Sequence, residues 1–147
     1  MTKRLYDYTT LRLYDLTTIQ LDNKIKIMKK FRYLEWEVYK DAKELFFLIL
    51  KLVKNLPKEF RFELGSQLIR SAFSIILNIA EGSGKTSDRE LNRFINISLG
   101  SVSELLAAID VLKDGNFITQ EEFNRIFKKL DSISNQLGGF KKKIKKS

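Results

Sequence analysis

The stretch LGSQLIRSAFSIILNIAEGSGKTSDRELNRFINISLGSVSELL, residues 64–106, decides the fold, because it holds two amphipathic runs, a Gly-rich break and a helix-restart signal in succession. In the first run Leu64, Leu68, Ser71, Ile75 and Ile79 share one helical face, while Ile69, Phe73, Ile76 and Ala80 share a second. Residues three and four apart are neighbours on a helix, so this spacing predicts a helix from about Phe60 to Glu81 that is apolar on two sides. After the break at Gly82–Thr86, Ser87-Asp88-Arg89-Glu90 is a capping box, in which the Ser hydroxyl and the Glu carboxylate each accept from a backbone amide left unpaired by the first turn. Leu91, Ile95, Ser98, Val102, Leu105, Ile109 and Leu112 then alternate spacings of four and three until Asp114-Gly115-Asn116 turns the chain.

The flanking sequence keeps the same rhythm. Upstream, Val38, Ala42, Leu45, Ile49, Leu52 and Leu56 form a seam, with Tyr39, Phe46, Leu50 and Val53 beside it, predicting a helix from Tyr33 that stops at Leu56-Pro57. Downstream, Thr119-Gln120-Glu121-Glu122 is a second capping box, and Phe123, Ile126, Leu130, Ile133, Leu137 and Phe140 continue the pattern. Short connections force neighbouring helices antiparallel, so the expected fold is all-α: an up-down-up-down four-helix bundle over residues 31–147, ending in a basic C-terminal tail. Residues 1–30 differ. LYDYTTLR (5–12) is followed directly by LYDLTTIQ (13–20) with five identities, which is too few copies for a solenoid. Met28-Lys29-Lys30-Phe31 reads as a natural bacterial start, so the upstream part is expected to be a disordered extension or a translated repeat ahead of the initiation codon.

Composition narrows the chemistry. The chain has no Cys and no His, which removes disulfides, thiolate nucleophiles, imidazole bases and nearly every transition-metal site. Lack of Cys fits a reducing, cytoplasmic setting. The longest strongly apolar run, Leu45 to Val53, contains Lys51 and falls short of the roughly 20 residues that span a bilayer, so no membrane association is expected. The net charge of +9 sits at the ends: residues 1–30 carry seven Lys/Arg against three acids, residues 140–147 carry five Lys and no acid, and residues 31–139 balance. That distribution argues against a basic groove built on the fold itself and assigns any polyanion contact to the termini.

Three motifs invite sharper readings. Gly82-Ser83-Gly84-Lys85-Thr86 resembles the end of a phosphate-binding loop, but Ile79 stands where the first Gly belongs and no strand leads in, so it is expected to be a helix-helix turn with Lys85 in solvent. Asp110, Asp114 and Glu121 fit part of a calcium loop around Gly115, but Leu112 occupies a ligand position. Ser66, Gln67, Arg70, Ser74, Asn78 and Glu81 on helix two, and Ser98, Gly100, Ser101 and Glu104 on helix three, form two polar strips. With no base to activate a Ser, they are expected to face each other as a structural seam, Arg70 pairing with Glu104 and Gly100 letting the helices approach closely. No catalytic residue, cofactor or metal is expected.

The succession Pro57-Lys58-Glu59, Ser66-Gln67, Arg70, Ser74, Asn78-Ile79-Ala80-Glu81-Gly82, Ser87, Glu90, Phe94, Gly100-Ser101 and Glu104-Leu105 resembles the bacterial four-helix-bundle proteins encoded in intervening sequences of large-subunit ribosomal RNA genes. The resemblance covers roughly Phe31 to Lys142, with departures in the octad-repeat extension, at Ile76-Leu77 and at Gly84-Lys85. It implies a ring-like homo-oligomer, a pentamer, and kinship with accessory proteins of diversity-generating retroelements, which bind nucleic acid and a reverse transcriptase. The resulting expectation is a non-enzymatic bundle that binds nucleic acid, RNA more than DNA, through Lys141, Lys142, Lys143, Lys145 and Lys146. The alternative is a structural or protein-interaction module whose charge only solubilises it. Surplus apolar residues beyond one seam, Phe46, Phe47, Leu50, Phe73 and Ile76, point to an interface between copies.

Overall fold

The computed structural model describes residues 17–27 and 29–145. Residues 17–27 are helical, and every one of them is exposed. The octad repeat therefore lies largely outside the described residues. A short 3-10 turn, Arg32–Glu35, leads into four long helices: α1 (Glu37–Asn55), α2 (Lys58–Ser83), α3 (Asp88–Asp114) and α4 (Gln120–Ile144). Each packs on its neighbour in sequence, and α1 closes the square against α4, giving an antiparallel all-α bundle.

The predicted seams form the core, except that Leu64 is exposed near the start of its helix and Leu91, Phe123 and Phe140 pack at the edge of the core, partly buried. Val38, Ala42, Leu45, Ile49, Leu52 and Leu56 of the first seam are all buried, as are Leu68, Ser71, Ile75 and Ile79, then Ile95, Ser98, Val102, Leu105, Ile109 and Leu112, and finally Ile126, Leu130, Ile133 and Leu137. Burying such stripes contributes most of the stability of helices in a bundle. Among the described residues α3 alone has the length and mean hydropathy, 1.5 over its most apolar window, to cross a bilayer. Its buried apolar residues belong to the same core cluster as those of the other helices.

The helix boundaries shift for identifiable reasons. α1 begins at Glu37 and not Tyr33, because Trp36 is extended at φ −70°, ψ 132° while its ring packs on Phe140 at 4.9 Å. α2 begins at Lys58, with Pro57 as its N-cap, and Arg61 turns back to donate two hydrogen bonds to the Leu56 carbonyl, at 3.2 and 2.9 Å. Thr119 makes the full reciprocal capping box with Glu122, its amide donating to the Glu122 carboxylate at 2.8 Å. Ser87 makes only one half: its hydroxyl accepts from the Glu90 amide at 3.2 Å. At the end of α3 the left-handed residue is Asn116, at φ 59°, and not the preceding Gly115. The amides of Asn116 and Phe117 donate to the Lys113 and Leu112 carbonyls, at 3.0 and 2.9 Å, the hydrogen-bond pattern of a Schellman termination.

Candidate nucleic-acid interface

An antiparallel bundle of four helices places the start of α1, the α2–α3 turn and the end of α4 at one end. Described residues from two basic parts of the sequence approach one another there. The Trp36–Phe140 ring contact joins the segment carrying Lys29, Lys30 and Arg32 to the one carrying Lys141, Lys142, Lys143 and Lys145, and the Arg32 guanidinium lies 5.7 Å from the Trp36 ring centre. α4 runs unbroken through Gly138-Gly139 because Phe140 and Ile144, one turn apart, keep packing on the core. That stripe fixes the outward face of the tail, leaving Lys142, Lys143 and Lys145 exposed while Lys141 is half-buried. Cations in a last helical turn are also favoured by the partial negative charge of the helix C-terminus. Lys146 lies outside the described residues.

The Gly82–Thr86 turn sits at the same end and is no phosphate loop, since a helix enters it and no strand occurs among the described residues. Lys85 is not free in solvent as expected: it is half-buried, 3.7 Å from the Glu81 carboxylate and 5.1 Å above the Phe94 ring. Gly82 is needed for packing. A Cβ there would lie 2.9 Å from the Phe94 Cβ and 3.3 Å from Leu91 Cδ1. At the opposite end Asp110 is taken up by Lys113 at 2.9 Å, so the calcium-loop fragment is a helix end with its own ion pair.

The polar seam between α2 and α3 differs from the expected one in its members. Glu104 accepts from the Gln67 side-chain amide, and Arg70 makes no ion pair among the described residues. At roughly 100° per residue Arg70 lies about 60° round the helix from Gln67, which turns it away from α3 and into solvent. Gly100 is not a close-approach residue either, since a Cβ there meets nothing within 4 Å. The seam instead runs through Ser74 and Ser101, whose hydroxyls are 2.8 Å apart, and Ser98, whose hydroxyl donates to the Ile75 carbonyl at 3.2 Å. Asn78 bonds within α2, to the Ser74 carbonyl at 2.8 Å, and Glu81 pairs with Lys85. No buried side-chain polar atom among the described residues lacks a partner, so the seam offers no orphaned group to a ligand.

A second polar cluster escaped the sequence reading. Asp41 on α1 accepts from Lys129 at 3.0 Å and from Gln136 at 2.6 Å, both on α4, and Lys129 also reaches Glu44 at 2.7 Å. Burial alone would raise the Asp41 carboxyl, but the hydrogen bonds from Lys129 and Gln136 and the Lys129 charge outweigh it and hold the group below its ordinary value. Lys129 is raised, through its hydrogen bonds to Glu44 and Asp41, against the opposing effect of burial. The signal in the sequence is polar residues beside both seams at helical spacing, Asp41 and Glu44 on one helix and Lys129, Ser132 and Gln136 on the other.

The family model described as 23S rRNA-intervening sequence protein matches residues 34–139. The fold is also similar to the crystal structure of a protein of unknown function from the S23 ribosomal protein family of Bacteroides thetaiotaomicron, at 26% identity and a TM-score of 0.67, covering 71% of this chain and 98% of that one. No curated protein matches. With the bundle and nearly three quarters of the chain matched, the protein belongs to the 23S rRNA-intervening sequence protein family.

Proposed function

We propose that the protein is a non-enzymatic, oligomeric helical bundle that binds nucleic acid, RNA in particular, through the end where its basic termini converge. The observation that supports this reading is the Trp36–Phe140 contact, which ties the segment carrying Lys29, Lys30 and Arg32 to the end of α4 that carries Lys141, Lys142, Lys143 and Lys145. Cations gathered on one surface neutralise neighbouring phosphates and release counterions, so binding is expected to be indifferent to sequence and to weaken steeply with salt. In an oligomer several such ends act together, and a weak contact becomes an avid one. Exposed Phe73 and Leu77, one turn apart on α2, supply a face for a second copy.

The test is fluorescence anisotropy with a labelled RNA. Cutting the chain after Gly139 would also remove Phe140 and Ile144 from the core, so the charge is better removed by Lys142→Gln/Lys143→Gln/Lys145→Gln, which keeps both anchors. Loss of three single-strand phosphate contacts is expected to lower the slope of log K against log salt by about 2. If the wild-type protein shows no salt-sensitive binding at low ionic strength, the protein-interaction module is the better reading. For the oligomer, Phe73→Ser/Leu77→Ser is expected to dissociate the assembly in analytical ultracentrifugation, and a monomeric wild type would refute it.

A further inference from the structure

The balanced charge of residues 31–139 conceals a separation along the groove between α1 and α4. Towards the terminal end of the bundle, Asp41 and Glu44 hold Lys129. Glu44 and Lys129 line one end of a groove of about 620 Å³, where Lys129 engages the Glu44 carboxylate at 2.7 Å; Lys51, Arg125 and Lys128 line the rest with Phe47 and Leu48, and none of these three cations has an ion-pair partner among the described residues. A neighbouring hollow continues past Lys51, Asn55 and Arg125. The acid nearest its far end, Glu122, is already engaged by the Thr119 amide and hydroxyl of the capping box, at 2.8 and 3.2 Å. Counting charge along the sequence argued against a basic groove on the fold. The groove exists because α1 and α4, remote in sequence, lie side by side.

Phe47 supplies the second component. It is 59% exposed at the groove, where an isolated apolar ring gains nothing from solvent. Its ring is held edge-on to Phe46 at 5.8 Å, and Phe46 is packed on Phe73 at 5.4 Å, so Phe47 is steadied by a chain of ring contacts. Unpaired cations along a groove with an exposed aromatic face are the two parts of a single-strand site: the cations follow the backbone and the ring stacks a base, with little dependence on sequence. Arg125 adds a planar guanidinium able to hold one phosphate through two parallel hydrogen bonds.

We infer that the α1–α4 groove binds single-stranded nucleic acid, with phosphates on Lys51, Arg125 and Lys128 and a base stacked on Phe47. This extends the proposed function from the end of the bundle onto its flank. It rests on the same class of ligand but not on the tail.

The experiment uses the full chain and a fluorescein-labelled oligouridine of about 16 nucleotides, with a duplex of equal length for comparison. Lys51→Ala/Arg125→Ala/Lys128→Ala is expected to weaken oligouridine binding by about tenfold or more and to lower the salt slope by about 2. Phe47→Ser is expected to weaken it by roughly 5- to 100-fold with the salt slope unchanged, and to leave duplex binding unaltered because paired bases are not free to stack on the ring. All four residues lie at the surface, and far-UV circular dichroism confirms that the helices persist. Both effects are expected again in the Lys142→Gln/Lys143→Gln/Lys145→Gln background. If the groove variants bind like their parents while the tail variant is weakened, the groove assignment is wrong and the terminal site stands. Equal losses on duplex and single strand for Phe47→Ser would overturn the stacking role. A wild type that binds neither probe would overturn the groove and the terminal site together.

Discussion

Replacing Gly65 by Ala gives a signed test of how α1 and α2 meet. An added Cβ would lie 2.6 Å from Val53 Cγ1, and 3.7 Å from Val53 Cβ and Cγ2. Carbon atoms prefer separations of about 3.5–4.0 Å, so the shortest contact is too close by roughly 1 Å. Val53 is 8% exposed and β-branched, and a helix leaves it essentially one side-chain rotamer. It cannot swing aside, and the strain must go into parting the helices, at about 1–3 kcal/mol. Ala in place of Gly within a helix returns about 0.8–1 kcal/mol. The expected net effect therefore runs from near zero to a loss of about 2 kcal/mol, or up to roughly 6 °C in Tm at this size, against the gain expected where the added Cβ is unopposed.

The control is Gly138→Ala, where a Cβ meets nothing within 4 Å and only the helix gain remains, so Tm is expected to rise by about 3 °C. Both are read by thermal and urea unfolding followed by far-UV circular dichroism at fixed protein concentration, since dissociation of an oligomer would otherwise shift Tm. Val53→Ala in the Gly65→Ala background removes the offending methyl groups, so the two changes are expected to be less damaging together than their sum. A Gly65→Ala protein as stabilised as Gly138→Ala would refute the close approach of α1 and α2.

Four further outcomes are expected. Asp41→Asn should cost about 1–3 kcal/mol near neutral pH by leaving Lys129 and Gln136 short of a charged acceptor; because Asp41 is lowered in the folded state, its contribution is complete above its ordinary value of 3.8 and is lost as pH falls through the lower folded value, so the gap between wild type and variant should close in acid unfolding titrations. A double-mutant cycle on Gln67 and Glu104 should show coupling, whereas Arg70→Ala should change stability by no more than about 0.5 kcal/mol. Asn116→Gly should raise stability by up to about 1 kcal/mol in urea unfolding, because Gly takes the left-handed conformation without steric penalty. Deleting residues 1–27 should leave Tm within a few degrees, since every described residue of that segment is exposed.

What was legible in the sequence is what repeats with the period of a helix. Leu45, Ile75, Leu105 and Ile133 lie in the core because each sits on a stripe whose spacing alone requires burial, and the order of the helices follows from connections too short for any other path. Contacts between stripes depend on angle and distance, which spacing does not carry. Arg70 and Gln67 are one turn apart and equally plausible partners for Glu104 by level, and only their difference around the helix selects Gln67. Gly100 and Gly82 are alike in sequence, yet Gly82 is buried against Phe94 while Gly100 lies on the exposed face of α3, where an added Cβ meets nothing. The same limit bears on the candidate site. Lys129 reaches Asp41 across 88 positions of chain, and Arg125 and Lys128 join Lys51 only once α4 has returned beside α1. A charge count along the chain averages such residues against acids that are distant in space or already engaged, as Glu122 is in its capping box. The basic termini are visible to that count because charges adjacent in sequence stay adjacent in space. A groove lined by Lys51, Arg125 and Lys128 is visible only after the bundle has closed and brought α4 beside α1.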